Sequence, residues 1–283
     1  MRFALGAVAG AVALPALAAC GTTKTAANSS AAGGSSSAAA PVKLLPATGT
    51  PSWPIDVARA QPTAPWSMYA TSGSGDSMLL EMVSYGRDIW NKHDDFSLFA
   101  EQASGAGTWS VQVGYMSPTN AAAKAGIMIR QTLDPGSPNY AFVTTVSQGA
   151  KLQYRPVANN ASSGHATADA LASTPIFLKM VYQPGKQIVL SDSSDGKTWG
   201  NTQTIPLGAG SVDSAKNTWV MAKNAPKGAI PDMITGTYYV GLCACSHAAT
   251  LQGYAGFTDF TGFHTTKLSY HAINQGSSAK ANW

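Results

Sequence analysis

The chain is short of charge, of glutamate and of long apolar runs. Charged residues make up 11% of its 283 residues, and 18 Lys and Arg against 14 Asp and Glu leave a net charge of +4. Because no dense Lys/Arg run accompanies this mild excess, the sequence argues against a nucleic-acid-binding protein. Only residues 3–17 form a sustained apolar run, which is shorter than the about 20 residues of a bilayer span. The sequence therefore predicts no membrane-spanning helix.

Acidic residues are too sparse to suggest a glycosidase. Glycoside hydrolysis uses two carboxylates that flank one bond, but the only glutamates, Glu81 and Glu101, lack an acidic partner two residues away. Asp94 and Asp95 are adjacent, so on a strand they would face opposite ways. No Gly-x-Ser-x-Gly elbow in a strand–helix context is present. An enzyme is thus disfavoured, although a Ser-His-Asp site or a Lys/Tyr/His lyase site stays open.

Three cysteines are present, and two of them, Cys243 and Cys245, form a C-x-C pair. On a strand they would share one face, slightly too far apart for an easy disulfide. His247 follows closely, but the second pair of ligands that a zinc site needs is missing. We therefore expect both cysteines to be small buried apolar residues.

The N-terminus has the layout of a secretory signal. Arg2 precedes the apolar run, which closes on Leu17-Ala18-Ala19-Cys20. This ending resembles the lipobox of bacterial lipoproteins. The resemblance implies a signal peptide at residues 1–19, a lipid such as palmitate on Cys20, and an anchor in the bacterial cell envelope, at the outer membrane in a Gram-negative cell. An ordinary signal peptide with a chance cysteine is the alternative.

Composition then divides the rest of the chain. Residues 20–52 are rich in Ala, Ser, Gly and Thr and cannot bury enough surface to offset their ordering entropy, so they predict a flexible linker. Residues 53–272 suit one large β domain, and the polar residues 273–283 suit a flexible tail.

The domain reads as all-β. Apolar or alternating segments are separated by turn signals such as Pro184-Gly185 and Asp195-Gly196, as in a sandwich or barrel. Residues 265–273 either add a strand or cover a sheet edge. The predicted strands are residues 78–85, 108–116, 125–132, 140–147, 152–155, 176–183, 187–191, 236–244 and 254–263.

Five blocks carry a family resemblance: 86–90 with 94–96, 124–130 with 133–137, 152–155, 194–199 and 239–247. In this order they resemble the uncharacterised domain attached to many secreted bacterial glycosidases, in the concanavalin A-like lectin/glucanase superfamily. The resemblance covers about residues 53–263 and implies a two-sheet antiparallel jelly-roll sandwich. One departure is an extra segment at residues 208–233, which holds Trp219, Lys216, Lys223 and Lys227. Long loops in compact domains are often functional, and a surface insertion packed by Trp219 is the alternative.

The strand pattern also predicts a binding face. If the aliphatic faces form the core, Arg130, Gln153, Arg155 and Lys179 fall on exposed faces and could form a basic row that grips carboxylates. Solvated faces with cross-strand pairing are the alternative. Trp90, Trp199 and Trp219 are possible sugar-stacking platforms, unless they pack in the core.

Asp88 and Asp94 could supply oxygen ligands to a structural calcium ion at the sandwich rim. No dense Asp/Asn loop accompanies them, so stabilisation of a turn is the preferred interpretation. No other metal or cofactor is indicated.

Together these features predict a surface-tethered, non-catalytic lipoprotein that binds a polysaccharide or other glycan, with an acidic glycan as one candidate. Its domain would lie in the periplasm or at the cell surface. One alternative is a structural or assembly protein of the envelope that contacts a protein partner through residues 208–233. A polysaccharide-degrading enzyme is the less favoured alternative.

Overall fold

The structure is a computed structural model, and it describes residues 43–46, 68–72, 79–166, 174–265 and 267–273. The predicted signal peptide, Cys20 and residues 274–283 of the predicted tail lie outside these ranges. The described residues form strands and no helix. This part of the chain therefore contains no helix long and apolar enough to cross a bilayer. The strands are β1 Lys43–Pro46, β2 Met68–Ser72, β3 Leu79–Gly86, β4 Asp88–Trp90, β5 His93–Ser104, β6 Gly107–Met116, β7 Lys124–Arg130, β8 Asn139–Thr145, β9 Gly149–Arg155, β10 Ser163–Ala166, β11 Ile176–Gln183, β12 Gln187–Ser193, β13 Gly200–Gly208, β14 Gly210–Asp213, β15 Thr218–Met221, β16 Ile230–Pro231, β17 Thr237–Cys245, β18 Ala248–Thr261 and β19 Ser269–Ile273.

Two large sheets build the fold. One has nine strands in the order β1-β2-β3-β18-β6-β11-β12-β13-β16, and the other runs β10-β9-β8-β7-β17-β5-β19 with β4 paired to β5. Neighbouring strands are antiparallel except for the short parallel pair β13–β16. The chain is therefore an all-β antiparallel sandwich of two sheets, which confirms the predicted fold class.

Alternation along the strands explains the core. In β11 the residues Ile176, Leu178, Met180 and Tyr182 are buried, and the residues between them are half-buried. This period of two points one side chain of every pair at the opposite sheet. Both sheets thus feed one apolar cluster, which includes Leu80, Val111, Leu190 and Phe257 from the nine-stranded sheet and Ile127, Phe142, Leu152 and Val240 from the other.

The eight-stranded sheet is buried on both faces. Every residue of β7 and β8 is buried, although a sheet with one solvated face should alternate. The cause is β5, which pairs with β17 only from Ser97 onward, while its first three residues pair with β4. The β4–β5 hairpin leaves the sheet and lies over its outer face, where Ile89 joins a second apolar cluster with Met128.

The two cysteines lie beneath this hairpin. Cys243 and Cys245 are buried free thiols of the second apolar cluster, which confirms the prediction. Desolvation raises the pKa of Cys243 to about 12, so this thiol stays neutral and unreactive in the folded protein. Cys245 lies within hydrogen-bonding distance of the Gly86 and Asp95 carbonyls, at 3.3 and 3.6 Å.

All nine predicted strands are present, as β3, β6, β7, β8, β9, β11, β12, β17 and β18, whereas β1, β2, β4, β5, β10 and β13 to β16 were not predicted. Lys43–Pro46, placed in the predicted linker, instead forms β1 and pairs with β2. The twelve-residue β5 was missed, because its polar first half carries no alternation. Residues 269–273 add a strand at the edge of the sheet, beside β5, which is the first of the two alternatives predicted for residues 265–273.

The extra segment at residues 208–233 forms the separate hairpin β14–β15, followed by β16. The indole of Trp219 packs against the main core cluster. Backbone hydrogen bonds close the base of the segment, from the Ala222 amide to the Ala209 carbonyl at 2.8 Å and from the Asp232 amide to the Gly208 carbonyl at 3.0 Å. The insertion is thus an ordered element whose base is fastened to the sandwich.

One end of the sandwich gathers the long connections. Residue pairs such as Thr237↔Ser104, Tyr239↔Arg130 and Tyr182↔Gly107 place the corresponding strand ends together. We call this end the loop end and define it by the connections at residues 104–107, 131–138, 156–162, 184–186 and 209–236.

Candidate functional site

A buried ionic clamp organises the loop end. Asp94 is 0% exposed, and Arg155 grips its carboxylate with both Nη atoms, at 2.8 and 2.5 Å. Arg130 Nη1 lies 3.3 Å from Asp94 Oδ2, and Asn139 Nδ2 donates to the same oxygen at 3.2 Å. Bidentate Arg–carboxylate pairs fix geometry as well as charge. Asp94, on the overlying hairpin, is thereby joined to β7, β8 and β9.

The guanidinium groups also donate hydrogen bonds to backbone carbonyl oxygens. Arg155 Nη1 donates to the carbonyls of Pro135 and Ser137, at 3.3 and 3.1 Å. Arg130 Nε and Nη2 donate to the carbonyls of Thr132 and Asp134, at 2.7 and 2.5 Å. Two arginines face a single aspartate, and the carbonyl oxygens stabilise the positive charge that this aspartate does not balance. The clamp therefore fixes the path of the 131–138 loop.

The predicted basic row is wrong in its geometry. Arg130 and Arg155 are 0% exposed and Gln153 is 6% exposed, because the β4–β5 hairpin covers the face that they share. Lys179 lies on β11 of the other sheet, so the four side chains do not line one face. The arginines cannot meet a ligand carboxylate while Asp94 and the loop carbonyls occupy their donors.

The three tryptophans lie on different elements of the fold and have different surroundings. The Trp90 ring lies against Gly164 of β10, on the outer side of the eight-stranded sheet. Lys179 Nζ sits 3.9 Å from the centre of the Trp199 ring, a cation–π contact that occupies one face of that platform. Trp219 packs against the core from the insertion. A sugar-stacking role for any of them stays a prediction.

The two aspartates considered for calcium are already neutralised. Asp94 receives hydrogens from Arg130, Arg155 and Asn139, and Asp88 is paired with Lys124 and with His247 Nε2 at 3.1 Å. Such donors would repel a cation. Nor does any group of three or more His, Cys, Asp or Glu within the described ranges suit a metal ion. The residues do not fit a calcium site and instead hold the β4–β5 hairpin in place.

A large cavity opens beside the clamp. This rim cleft has a volume of about 760 Å³, and it is lined by His93, Gln131, Thr132, Asp134, Pro135, Gly136, Ser137, Pro138, Ala158 and Asn159. The clamp fixes one wall through the loop carbonyls. The Asn159 amide donates to the Gly136 carbonyl at 2.9 Å and joins the other wall to the first. The cleft is thus shaped in advance of any ligand.

Particular residues are required at this junction. A Cβ on Gly136 would clash with the Asn159 side chain, so only glycine permits the close approach. Asn159 itself has a φ of 56°, a left-handed conformation that asparagine tolerates. Thr132 Oγ1 lies 3.0 Å from Asp134 Oδ2, and both side chains are exposed to the cleft. They can donate to and accept from hydroxyl groups.

A second cleft of about 410 Å³ lies between the sheets at the same end. It is lined by Tyr182 and Tyr238 with Ser104, Gly105, Pro184, Ile234, Gly236 and Thr237. The tyrosine hydroxyls donate to the Ile234 and Gly105 carbonyls, at 3.2 and 2.8 Å. Desolvation raises the pKa of Tyr238 to about 12, so its phenol remains a donor at neutral pH. We call this the tyrosine cleft.

A third cleft of about 260 Å³ surrounds a buried carboxylate. Glu101 is 4% exposed and accepts from the backbone amide of His264 at 2.9 Å, while the His264 Nδ1 atom lies 3.0 Å from its other oxygen. Lys267, Ser104 and Thr108 also line this glutamate cleft. The other glutamate, Glu81, is hydrogen-bonded by Tyr115 on the nine-stranded sheet. The two glutamates therefore do not form a carboxylate pair.

The sequence held part of the signal for this site. Residues 133–137 and Asp94 belong to the blocks singled out above, and the turn residues Pro135-Gly136 marked a loop. His93, Asn159 and the Glu101–His264 pair were missed as site residues. They meet only through β5 and its partners, and no spacing in the sequence indicates this.

Comparison with known proteins returns structures but no family. No family model matches the chain, and no curated protein matches it. Lectin II from Ulex europaeus aligns with a TM-score of 0.30 and 10% identity, over 69% of this chain and 86% of that one. The UEA-II lectin complexed with galactose gives 0.29 and 9%, over 69% and 86%. The exoplasmic/lumenal domain of VIP36 in its Ca²⁺/Man3GlcNAc-bound form gives 0.29 and 13%, over 70% and 80%. The assignment of this chain to the all-β sandwiches follows from its own strand pairing.

Proposed function

We propose that the protein binds a glycan in the rim cleft and holds it without cleaving it. One observation carries the proposal, namely a cavity of about 760 Å³ whose walls are fixed by a buried clamp. Ligand sites typically measure about 300–1,000 Å³ and combine apolar walls with a few placed polar groups. Pro135 and Pro138 supply apolar wall, and Thr132, Asp134 and Asn159 supply hydrogen-bonding groups.

The lining also indicates the charge of the ligand. Asp134 is the acidic side chain among the residues that line the rim cleft, and the two arginines beneath it are fully buried. A carboxylate on the sugar would therefore meet repulsion rather than a guanidinium. We expect neutral glycans to bind the rim cleft better than acidic ones.

A glycan array probed with the full chain tests the proposal. We expect binding to neutral glycans that falls at least about tenfold in Asp134→Asn, the scale of one lost charge-assisted hydrogen bond. Asp259→Asn is the matched control, since Asp259 also accepts a threonine hydroxyl, from Thr258 at 3.0 Å, but lies away from the cleft. Absence of binding to every glycan, including the organism's own envelope polysaccharides, would overturn the proposal.

We further propose that a lipid on Cys20 tethers the domain to a bacterial cell envelope. The support is the lipobox-like ending of the N-terminal apolar run. The native protein should sediment with membranes and incorporate labelled palmitate, and Cys20→Ser should do neither. A Cys20→Ser protein that still sediments with membranes would contradict the tether.

The insertion supports a second function, contact with an envelope protein. Hairpin β14–β15 exposes Val212 and Val220, at 46% and 51%. Val212 is paired with Trp219 and Val220 with Ser211, so each face of the hairpin offers a partner one exposed apolar side chain. Trp219 of this hairpin packs against the core, so the test leaves the hairpin in place and changes only the two exposed valines. If the hairpin contacts a partner, the double substitution Val212→Ser and Val220→Ser should abolish cross-linking in cells and leave glycan binding intact. Unchanged cross-linking would exclude this function.

A further inference from the structure

The three clefts of the loop end are neighbours with shared walls. Gln131 lines the rim cleft, and its Nε2 donates to the carbonyl of Thr237 at 2.9 Å. Thr237 in turn lines the tyrosine cleft. Ser104 lines both the tyrosine cleft and the glutamate cleft. The Gln131 side chain therefore separates the rim cleft from the tyrosine cleft. The end of β5 at Ser104 separates the tyrosine cleft from the glutamate cleft.

The connection between the tyrosine and glutamate clefts does not obstruct a ligand, because its residues have small side chains. The β5–β6 connection reads Ser104-Gly105-Ala106-Gly107, and three of these four residues are exposed. A Cβ placed on Gly105 would have no atom within 4 Å, so the space above this turn is open. A ligand chain can pass over the turn without displacing a large side chain.

The chemistry changes along this path. The rim cleft offers the acceptor Asp134. In the glutamate cleft, His264 Nδ1 donates to the Glu101 carboxylate and leaves Nε2 as an acceptor, while the Lys267 side chain beside it is a donor. The His264 side chain is 67% exposed although its partner is buried. A carboxylate that fixes one imidazole nitrogen orients the other towards the cleft.

From these observations we propose that the three clefts form one extended groove that binds several consecutive sugars of a polysaccharide chain. The proposal rests on glycan binding at the rim cleft and goes beyond it by naming the ligand as an oligosaccharide with subsites out to Glu101 and His264. At the far subsite, His264 Nε2 accepts from a sugar hydroxyl or acetamido N–H group, and Lys267 donates to a sugar oxygen. No bond is made or broken in this binding.

A blocking variant separates the groove from its first subsite. Ser104→Trp places an indole on an exposed strand end between the tyrosine and glutamate clefts, so folding should not suffer. Ser194→Trp, in an exposed turn at the other end of the sandwich, is the matched control. Calorimetry would use the full chain with a monosaccharide, a disaccharide and longer oligosaccharides cut from the polysaccharide identified on the array.

For the native chain we expect affinity to rise with oligosaccharide length. Ser104→Trp should lower affinity for the longer oligosaccharides about tenfold and leave the short ones unchanged, whereas Ser194→Trp should change neither. His264→Ala should weaken only the longer ones. Affinity that is independent of length, and unchanged by Ser104→Trp, would overturn the groove while leaving rim-cleft binding standing. A chain that binds no glycan would overturn the proposed function itself.

Discussion

At the scale of residues, Asp94 and Asp95 show how adjacent identical side chains acquire opposite roles. Adjacent positions on a strand face opposite ways, as the sequence predicts. Asp94 turns into the clamp and receives four hydrogen bonds from Arg130, Arg155 and Asn139. Asp95 has one carboxylate oxygen, Oδ1, that is buried without a partner. The first carboxylate joins the hairpin to the sheet, and the second costs stability.

Asp94→Asn should be strongly destabilising. The substitution leaves two fully buried guanidinium groups without their counter-charge, and breaking a buried pair in this way costs about 3–5 kcal/mol. Urea denaturation would show the fall in the free energy of unfolding. Asp213→Asn is the control, because the Lys216–Asp213 pair spans 3.7 Å with the lysine 78% exposed and should cost less than about 1 kcal/mol. Equal effects of the two substitutions would show that the clamp is not a structural element.

Asp95→Asn should act in the other direction and depend on pH. Desolvation raises the pKa of Asp95 above its ordinary value of 3.8, against a hydrogen bond from the Arg87 amide. The unfolded chain then ionises first, so the fold loses stability as pH rises from 3.8 through the folded pKa. The variant escapes this loss, and its advantage over the native chain should grow between pH 3 and pH 7.

Asp195 provides a control of opposite sign. Hydrogen bonds from the Thr198 and Lys197 amides and from Ser193 lower its pKa to about 2. This carboxylate stabilises the fold above pH 3.8 and loses that contribution as pH falls towards 2. Asp195→Asn should therefore lower stability at pH 7 relative to the native chain, and the deficit should shrink in acid. Urea titrations at pH 3 and pH 7 would measure the free energy of unfolding of Asp95→Asn and Asp195→Asn relative to the native chain. The same pH trend in both variants would contradict this explanation.

At the scale of elements, β5 decides the shape of the site. Its second half is an inner strand between β17 and β19, and its first half belongs to a hairpin that crosses the outer face of the sheet. The same strand therefore supplies Glu101 to one cleft and His93 to another. This double use makes the rim cleft depend on the place where the hairpin leaves the sheet.

Gly86→Ala tests that departure point. Gly86 has a φ of 153°, and a Cβ there would clash with the Asp95 carbonyl oxygen. Backbone strain alone costs about 1–3 kcal/mol, and the hairpin would also have to shift away from the sheet. The rim cleft should therefore lose glycan binding along with stability. Thermal melts and the glycan assay would measure both effects.

Gly105→Ala is the matched control for this substitution. Gly105 also has a positive φ, 70°, but a Cβ there has no atom within 4 Å. It should lose about 1 kcal/mol from strain and keep rim-cleft binding. If both variants bound glycan normally, the position of the hairpin would not control the site.

At the scale of the whole molecule, aromatic side chains from both sheets form one unit behind the loop end. Trp109 and Tyr182 come from the nine-stranded sheet, and Tyr140 and Tyr238 come from the other. Tyr238 meets Trp109 and Tyr182 edge-on, at centroid distances of 6.4 and 5.6 Å, and Tyr140 lies 6.0 Å from Tyr182. The described strands lie in one compact unit, residues 39–283. Because the two sheets share one core, neither sheet can unfold without exposing the core of the other.

Unfolding should accordingly be one cooperative transition. Tyr182→Ala removes the centre of the aromatic unit and should cost about 3–5 kcal/mol, as large core truncations do. In the native chain and in this variant, far-UV circular dichroism and aromatic fluorescence should give coincident urea transitions. Transitions that separate would show that one sheet unfolds before the other.

The sequence by itself determined the fold class, the positions of nine of the strands and the burial of both cysteines. Alternation and turn residues are local signals, and they decide which side of a strand faces the core. It also located the insertion and the Pro135-Gly136 turn. It did not show that Asp94 would meet Arg130 and Arg155, because a basic side chain opposite an aliphatic face has the same pattern whether water or a hairpin covers it.

Only the tertiary structure decided which face was covered, and with it the nature of the site. The β4–β5 hairpin folds back over the sheet and converts a predicted row of exposed cations into a buried clamp. The clefts arise where connections distant in the chain meet at the loop end. Their walls depend on strand order and on contacts across many residues, and these are properties of the folded chain rather than of any local segment.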